Sequence, residues 1–262
     1  MLVTLKEILK TAEEKQIAVG SFNTPILESI QAVLDAAEEL KVPVIIMHAE
    51  VHEEINALDR IGKVMIQCAK DARVPVCVHL DHGENLKYVK QALDMGFTSV
   101  MYDGSALSYE ENVGNTCEAV ALAKKTGASV EAEIGTLGKR ELGYKEEDNT
   151  EEELQQIYTD PKDAKRFVEE TGIDALACSF GTAHGLYLAK PKLDMDVLDA
   201  IKENVEIPLV MHGGSGVCEE DYRTVIAKGI RKVNYYTYMA KAGGEGVREY
   251  LLEKEKAREP VY

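Results

Sequence analysis

Eight short runs rich in β-branched and apolar residues recur along the chain, alternating with stretches of helical periodicity, and this repetition constrains the fold more than any other feature. The runs are Ile17–Phe22, Pro43–His48, Val74–Leu80, Thr98–Tyr102, Ser129–Ile134, Ala175–Phe180, Pro208–Met211 and Lys232–Tyr235, and polar, Gly-containing or Pro-containing turns lead into them. Between them, Leu27–Leu40 sets Ile30, Val33, Leu34 and Ala37 on one helical face, and Asn85–Met95 does the same with Leu86, Val89 and Leu93. Eight β-then-α units predict an α/β protein, a (β/α)8 TIM barrel, and the 262 residues fit one such domain spanning 1–262. The competing architecture is an open doubly wound sheet. A dinucleotide-binding sheet of that kind carries GxGxxG after its first strand, and here the turn reads Gly20-Ser21-Phe22-Asn23-Thr24-Pro25.

Composition bounds the partners. A formal net charge of -16 repels polyanions, so nucleic acid and anionic membranes are excluded as general partners, and a small anionic substrate needs a local positive site. No apolar run approaches the roughly 18 residues of a membrane span, and Met1–Lys15 is amphipathic and charged, unlike a signal peptide. The expected location is cytoplasmic. Five scattered cysteines without a CxxC pair read as reduced thiols, with Cys77 and Cys178 as small core residues. The charged, Gly-punctuated segment 135–160 reads as a mobile active-site loop, although its acids from Glu146 to Glu153 fit a solvated connector equally well.

A parallel barrel builds its site at the C-terminal ends of its strands. Three of the chain's six histidines stand there: His82 in Asp81-His82-Gly83, His184 in Gly181-Thr182-Ala183-His184-Gly185, and His212 in His212-Gly213-Gly214-Ser215-Gly216. Three imidazoles on one rim form a tripod for Zn²⁺ with a position left for a substrate oxygen. Alternation turns His79 to the same side as Asp81, where it reads as a buried partner. Asp103 and Glu133 also end strands; alone, each reads as a salt-bridge partner or N-cap, and beside a metal tripod they read as ligands of a second divalent or monovalent cation or as groups that orient a ligand imidazole. The glycine-rich turn after His212 and Asn234-Tyr235-Tyr236-Thr237 fall where barrels often hold phosphate, because glycines let backbone N–H groups approach an oxyanion. In isolation the same turn would be merely a tight one.

Taken in order, Asp81-His82-Gly83, Tyr102-Asp103-Gly104-Ser105, Val130-Glu131-Ala132-Glu133, the Gly181–Gly185 segment and His212–Gly216 resemble the class II fructose-bisphosphate and tagatose-bisphosphate aldolases over nearly the whole chain. The resemblance implies zinc-dependent, reversible cleavage of a ketose bisphosphate to dihydroxyacetone phosphate and glyceraldehyde 3-phosphate. It implies His82, His184 and His212 as zinc ligands, Asp103 and Glu133 as secondary metal positions, and Asp81 as the acid/base at the C4 hydroxyl. It places dihydroxyacetone phosphate on Gly185, Gly213, Gly214, Ser215, Asn234, Tyr235, Tyr236 and Thr237, with Asn23 a further substrate contact, and it points to Glu141 as the base for the C3 proton. A homodimer or homotetramer is implied as well.

Three stretches depart from the resemblance. The loop Leu137-Gly138-Lys139-Arg140-Glu141-Leu142 differs around the glutamate. Where relatives read Val-Ser-Glu after the second strand, this chain reads Met47-His48-Ala49-Glu50-Val51-His52, so the serine hydroxyl is missing; either His48 or His52 supplies a new contact, or the strand end is simply repacked. The chain stops at Arg258-Glu259-Pro260-Val261-Tyr262, before the last helix and basic tail of relatives, which reads as a truncated or a short variant. Alternatives therefore stay open: another phosphoketose, deoxygluconate-derived or sulfonated, with the same chemistry; a non-catalytic barrel that binds sugar phosphates; or a lysine aldolase, for which Lys232 is the sole candidate at a strand.

Overall fold

In the computed structural model, residues 1–135, 138–140, 158–185 and 191–257 are described, with the backbone alone at 138–140 and 257. Eleven strands occur among them: β1 (Leu2–Val3), β2 (Val19–Asn23), β3 (Val44–Ala49), β4 (Val76–Gly83), β5 (Ser99–Tyr102), β6 (Ser129–Ile134), β7 (Gly138–Arg140), β8 (Ala175–Cys178), β9 (Ala183–Gly185), β10 (Leu209–Met211) and β11 (Ile230–Tyr235). The helices are α1 (Leu5–Lys15), α2 (Leu27–Leu40), α3 (Leu58–Asp71), α4 (Leu86–Met95), α5 (Tyr109–Thr126), α6 (Pro161–Thr171), α7 (Met195–Asn204), α8 (Glu219–Ala227) and α9 (Thr237–Ala257). Eight strands pair in parallel in the cycle β2-β3-β4-β5-β6-β8-β10-β11, and β11 returns to β2. The barrel expected from the eight runs is the one observed.

Period-two alternation sorts each strand's side chains into two cores. Val44 and Ile46 of β3, with Val76, Val78 and Leu80 of β4, pack outward against the helices. Ile45, Met47 and Cys77 point inward, where they join Ala175, Ala177 and Val210. Helix α1 stops the barrel's N-terminal end with Leu5, Ile8, Leu9 and Ala12, all buried in that inner core. Each large side chain among them stabilises the plug by about 1.5–3 kcal/mol. A capping box formed by Thr4 and Glu7 starts this helix, and Gln16 in the left-handed conformation ends it.

Two features lie outside the expected plan. Within the segment 135–160, residues 138–140 form a short strand: β7 pairs with β9, setting Lys139 opposite His184 and Arg140 opposite Gly185. The far end of the same segment is anchored too, because Thr159 donates from Oγ1 to the Ile134 carbonyl at 2.6 Å and Asp160 caps α6. Helix α9 is exposed at every residue from Ala240 to Glu253. No helix among the described residues is long and apolar enough to cross a membrane.

Candidate active site and metal centre

The inward positions change character above the apolar plug. Going up the strands, Cys77 of β4 gives way to His79 and Asp81, β6 contributes Glu131 and Glu133, and β11 contributes Lys232 and Asn234. All six of these polar side chains are buried, so each needs a partner within the barrel. Glu131 is the hub: its carboxylate meets Lys232 Nζ at 2.9 Å, His212 Nε2 at 2.8 Å and His79 Nε2 at 3.7 Å. His79 Nδ1 in turn contacts Ser99 Oγ at 2.7 Å. Burial pushes the His79 imidazole down to about 3, with Lys232 adding to the effect, so this ring is neutral. His79 thus occupies the buried, supporting position expected of it.

Lys232 also donates to Asn234 Oδ1 at 2.7 Å, and Asn234 Nδ2 donates to Asp81 Oδ1 at 3.0 Å. Asn23 Nδ2 donates to the other oxygen, Asp81 Oδ2, at 2.8 Å. Burial alone would raise the Asp81 carboxyl, but the charges of His82, His212 and Lys232 outweigh it and hold the group well below the usual carboxylate range. Lys232 is an interior ion-pair partner of Glu131 with no exposed surface, and it is not among the residues that line the cavity above it.

His82 would point outward by alternation, yet it faces the cavity. The backbone explains this: the β4 to β5 register shifts between Leu80 and Gly83, and His82 adopts a left-handed φ of 44°. A histidine in that conformation is uncommon and costs on the order of 1–3 kcal/mol. The turn brings His82 Nε2 to 3.0 Å from His212 Nδ1, and His184 on β9 completes the group, its ring centroid 4.9 Å from that of His82 and 5.8 Å from that of His212. One ligating atom from each of the three lies within 4.8 Å of the others, and His82, Asp103 and Glu133 form a second group of the same kind.

These side chains fit a bound metal ion. Two nitrogens on one tetrahedral centre with bonds of about 2.0–2.1 Å stand about 3.3 Å apart, close to the 3.0 Å seen between His82 and His212. The other nitrogen of each ring is oriented by a carboxylate, His82 Nδ1 by Asp103 at 2.6 Å and His212 Nε2 by Glu131. Glu133 Oε2 is buried without a hydrogen-bond partner, and burial and then Asp103 raise its carboxyl well above the usual range, a penalty that a cation would relieve.

Above this group opens a cavity of about 490 Å³. Asn23, Asp81, His82, Asp103, Glu133, His184, Gly185, Gly213, Gly214, Ser215, Asn234, Tyr235, Tyr236 and Thr237 all line it, so among the described residues the sequence-selected set converges on one place. His212 lies beneath the surface of the cavity, fully buried. Glu141 lies outside the described residues. At the phosphate-like end, Gly213 has φ 66° and a Cβ there would stand 2.4 Å from the Ala183 carbonyl oxygen, so only glycine fits. Ser215 Oγ accepts from the Tyr236 and Tyr238 amides at the start of α9, whose N-terminal end faces this turn. No lysine or arginine is among the described lining residues, and backbone amides at a helix N-terminus suit an anion without one.

Residues 3–262 match the sequence pattern of the family described as "Fructose-bisphosphate aldolase class-II". The chain belongs to the class II fructose-bisphosphate aldolase family. A Bacillus subtilis (strain 168) protein named "Probable fructose-bisphosphate aldolase" is 40% identical to this aldolase over 99% of the chain and 90% of its own length. A Staphylococcus aureus (strain Mu50) fructose-bisphosphate aldolase is 38% identical over 99% and 89%. The crystal structure of the YdjI aldolase from Escherichia coli K12 superposes with a TM-score of 0.84 at 35% identity, covering 95% of this aldolase and 87% of that chain. Like its relatives, this aldolase is a carbon–carbon lyase on a (β/α)8 barrel.

Sequence reasoning assigned no role to Glu131 or to Lys232 as its partner. A signal was present: Glu131 and Glu133 share strand parity, so both had to face the interior.

Proposed function

We propose that the chain performs zinc-dependent, reversible aldol cleavage of fructose 1,6-bisphosphate or its C4 epimer tagatose 1,6-bisphosphate, giving dihydroxyacetone phosphate and glyceraldehyde 3-phosphate. The observation that carries the reading is the placement of Asp81, clamped by Asn23 and Asn234, next to three imidazoles that converge on one point. His82, His184 and His212 would hold the zinc, which supplies Lewis-acid polarisation of the ketose C2 carbonyl when bound.

The protein's own groups handle the protons and the phosphate. Asp81 is ionised and held by two amides with both oxygens in use, so it takes the C4 hydroxyl proton in cleavage without reorienting and returns it to the aldehyde oxygen in condensation. Glu141 is assigned the C3 proton of dihydroxyacetone phosphate. Its chain neighbour Arg140 pairs through its backbone with Gly185, beside His184, which supports delivery of that loop to the site. Gly185, Gly213, Gly214, Ser215 and the 234–237 segment receive the phosphate of the dihydroxyacetone half, with the N-terminus of α9 adding favourable potential. Asp103 orients His82 through Nδ1, and Asp103 and Glu133 would hold a second cation, divalent or monovalent.

The exposed face of α9 supports a homodimer or homotetramer. The helix carries Val247, Tyr250 and Leu251 on one face, exposed, and Gly243, Gly244 and Gly246 within its length, each costing about 1 kcal/mol relative to alanine. A helix of this composition gains its stability from packing, which a second copy would provide. The cytoplasm suits an enzyme whose five cysteines are all unpaired.

The test is cleavage of the two ketose bisphosphates by purified protein, with metal analysis, before and after exhaustive chelation. Activity that disappears with zinc and returns with it supports the reading; cleavage indifferent to chelation overturns the zinc assignment, and stoichiometric zinc with no cleavage of either sugar overturns the substrate.

A further inference from the structure

The two histidines after β3 separate by parity. His48 follows Val44 and Ile46 onto the outer face of the barrel, where its ring is fully buried and Nε2 meets the Tyr88 hydroxyl at 3.2 Å. That hydroxyl donates to Glu53 at 2.5 Å, so His48 belongs to the wall between β3 and α4. Ala49 faces inward, by the parity of Ile45 and Met47, and it lines the cavity without a polar group. His52, at the end of the single 3₁₀ turn Glu50–His52, lines the same cavity.

His52 is 95% buried in the sense that only 5% of its surface is exposed, and its Nδ1 is buried with no hydrogen-bond partner. A buried ring nitrogen without a partner costs about 1–3 kcal/mol unless something else satisfies it. Its ring stacks at a tilt on Tyr236, centroids 4.9 Å apart, and lies 6.1 Å from the His48 ring, so packing on both sides holds its orientation. The β3 to β4 register sets Ala49 opposite Asp81, which carries the turn bearing His52 over the side of the cavity where Asp81 works. Asp81 acts on the oxygen that the aldehyde contributes, so the neighbouring space belongs to the aldehyde half of the substrate.

We infer that His52 is a specificity-determining residue that hydrogen-bonds a hydroxyl of the aldehyde half, supplying from the turn after β3 a polar group that the strand end itself, at Ala49, does not offer. The inference rests on the aldolase reading above. Burial lowers the His52 imidazole from its ordinary value, so it meets the substrate as a neutral donor and acceptor.

The test compares wild type with His52→Phe, which keeps a ring against Tyr236 and removes both nitrogens, and with His52→Gln, which restores an amide. Condensation of dihydroxyacetone phosphate is measured with glycolaldehyde, which has a hydroxyl beside the carbonyl, and with acetaldehyde, which has none. Exchange of the C3 proton of dihydroxyacetone phosphate with solvent, which needs no aldehyde, is followed in parallel with zinc content. His52→Phe is expected to lose about 10-fold or more in kcat/KM for glycolaldehyde, with acetaldehyde addition, proton exchange and zinc content all within about 2-fold of wild type and partial recovery in His52→Gln. Equal losses on the two aldehydes, an unchanged kcat/KM for glycolaldehyde, or a loss that appears as a raised KM for dihydroxyacetone phosphate would each overturn the assignment. Wild-type protein that neither exchanges nor condenses overturns the aldolase reading itself, and the inference with it.

Discussion

Glu131 Oε1 and His212 Nε2 meet at 2.8 Å with both side chains fully buried, which decides which nitrogen of His212 faces the rest of the tripod. A carboxylate at Nε2 selects the tautomer with the proton there, leaving the Nδ1 lone pair directed towards His82. Glu131→Gln removes the charge that enforces this tautomer. Zinc affinity, measured by competition with a chromophoric chelator, is expected to fall about 10- to 100-fold. Because Lys232 would lose its counter-charge, unfolding in denaturant should also show a loss of roughly 3–5 kcal/mol. Unchanged zinc affinity in a folded variant would refute the orienting role.

Asp81 offers a sharper separation of binding from chemistry. Asp81→Asn keeps the size of the side chain but cannot carry the C4 proton that the proposed mechanism assigns to it. A fall in kcat of about 100- to 10,000-fold is expected, with zinc content retained. Asn23→Ala and Asn234→Ala each free one oxygen of Asp81 and should produce smaller losses of the same kind. An Asp81→Asn enzyme that retains most of its kcat would reassign the acid/base.

The barrel was legible because its signal is local: strand parity and helix periodicity repeat eight times, and the β2, β3, β6 and β10 runs sit within two residues of where the sequence puts them. The tripod was legible because its histidines end strands. What the sequence hid depends on backbone conformation and on distant pairing. Parity alone would point His82 outward, and only its left-handed φ and the register shift in β4 bring it into the cavity. The Glu131 hub joins β4, β6, β11 and the residue after β10, contacts whose separation in the chain runs to 101 residues between Glu131 and Lys232. His48 and His52 were equivalent candidates in the sequence, and the outward parity of β3 at position 48 separates them.

His48 gives a pH dependence of stability whose sign can be worked out. Burial, with a smaller contribution from His52, pushes its imidazole down to about 4 from an ordinary 6.5, while Glu53 opposes the shift. The folded protein therefore keeps His48 neutral where the unfolded chain is already protonated. The neutral ring's contribution is intact above about pH 6.5 and is lost as the pH falls towards 4, at up to about 1.4 kcal/mol per pH unit. The stability difference between wild type and His48→Gln, from urea unfolding of zinc-free protein at pH 7.5 and pH 4.5, should shift in favour of the variant at the lower pH by about 2–3 kcal/mol. A difference that is constant with pH would mean that His48 does not titrate in this window.

Gly213 couples the proposed phosphate site to the backbone that carries His184. Its φ of 66° is a left-handed conformation, and an added Cβ would lie 2.4 Å from the Ala183 carbonyl, a backbone atom of β9 that cannot rotate away. Gly213→Ala must therefore displace either the glycine-rich turn or the strand holding His184. The expected result is a stability loss of at least about 1–2 kcal/mol, a raised KM for the phosphorylated substrate and weaker zinc binding in the same variant. Gly114→Ala is the control, since a Cβ on that residue of α5 meets nothing within 4 Å and should leave KM and zinc affinity as they are. If Gly213→Ala raised KM while zinc binding stayed at the wild-type level, the turn would have yielded alone, and the phosphate and metal sites would be mechanically independent.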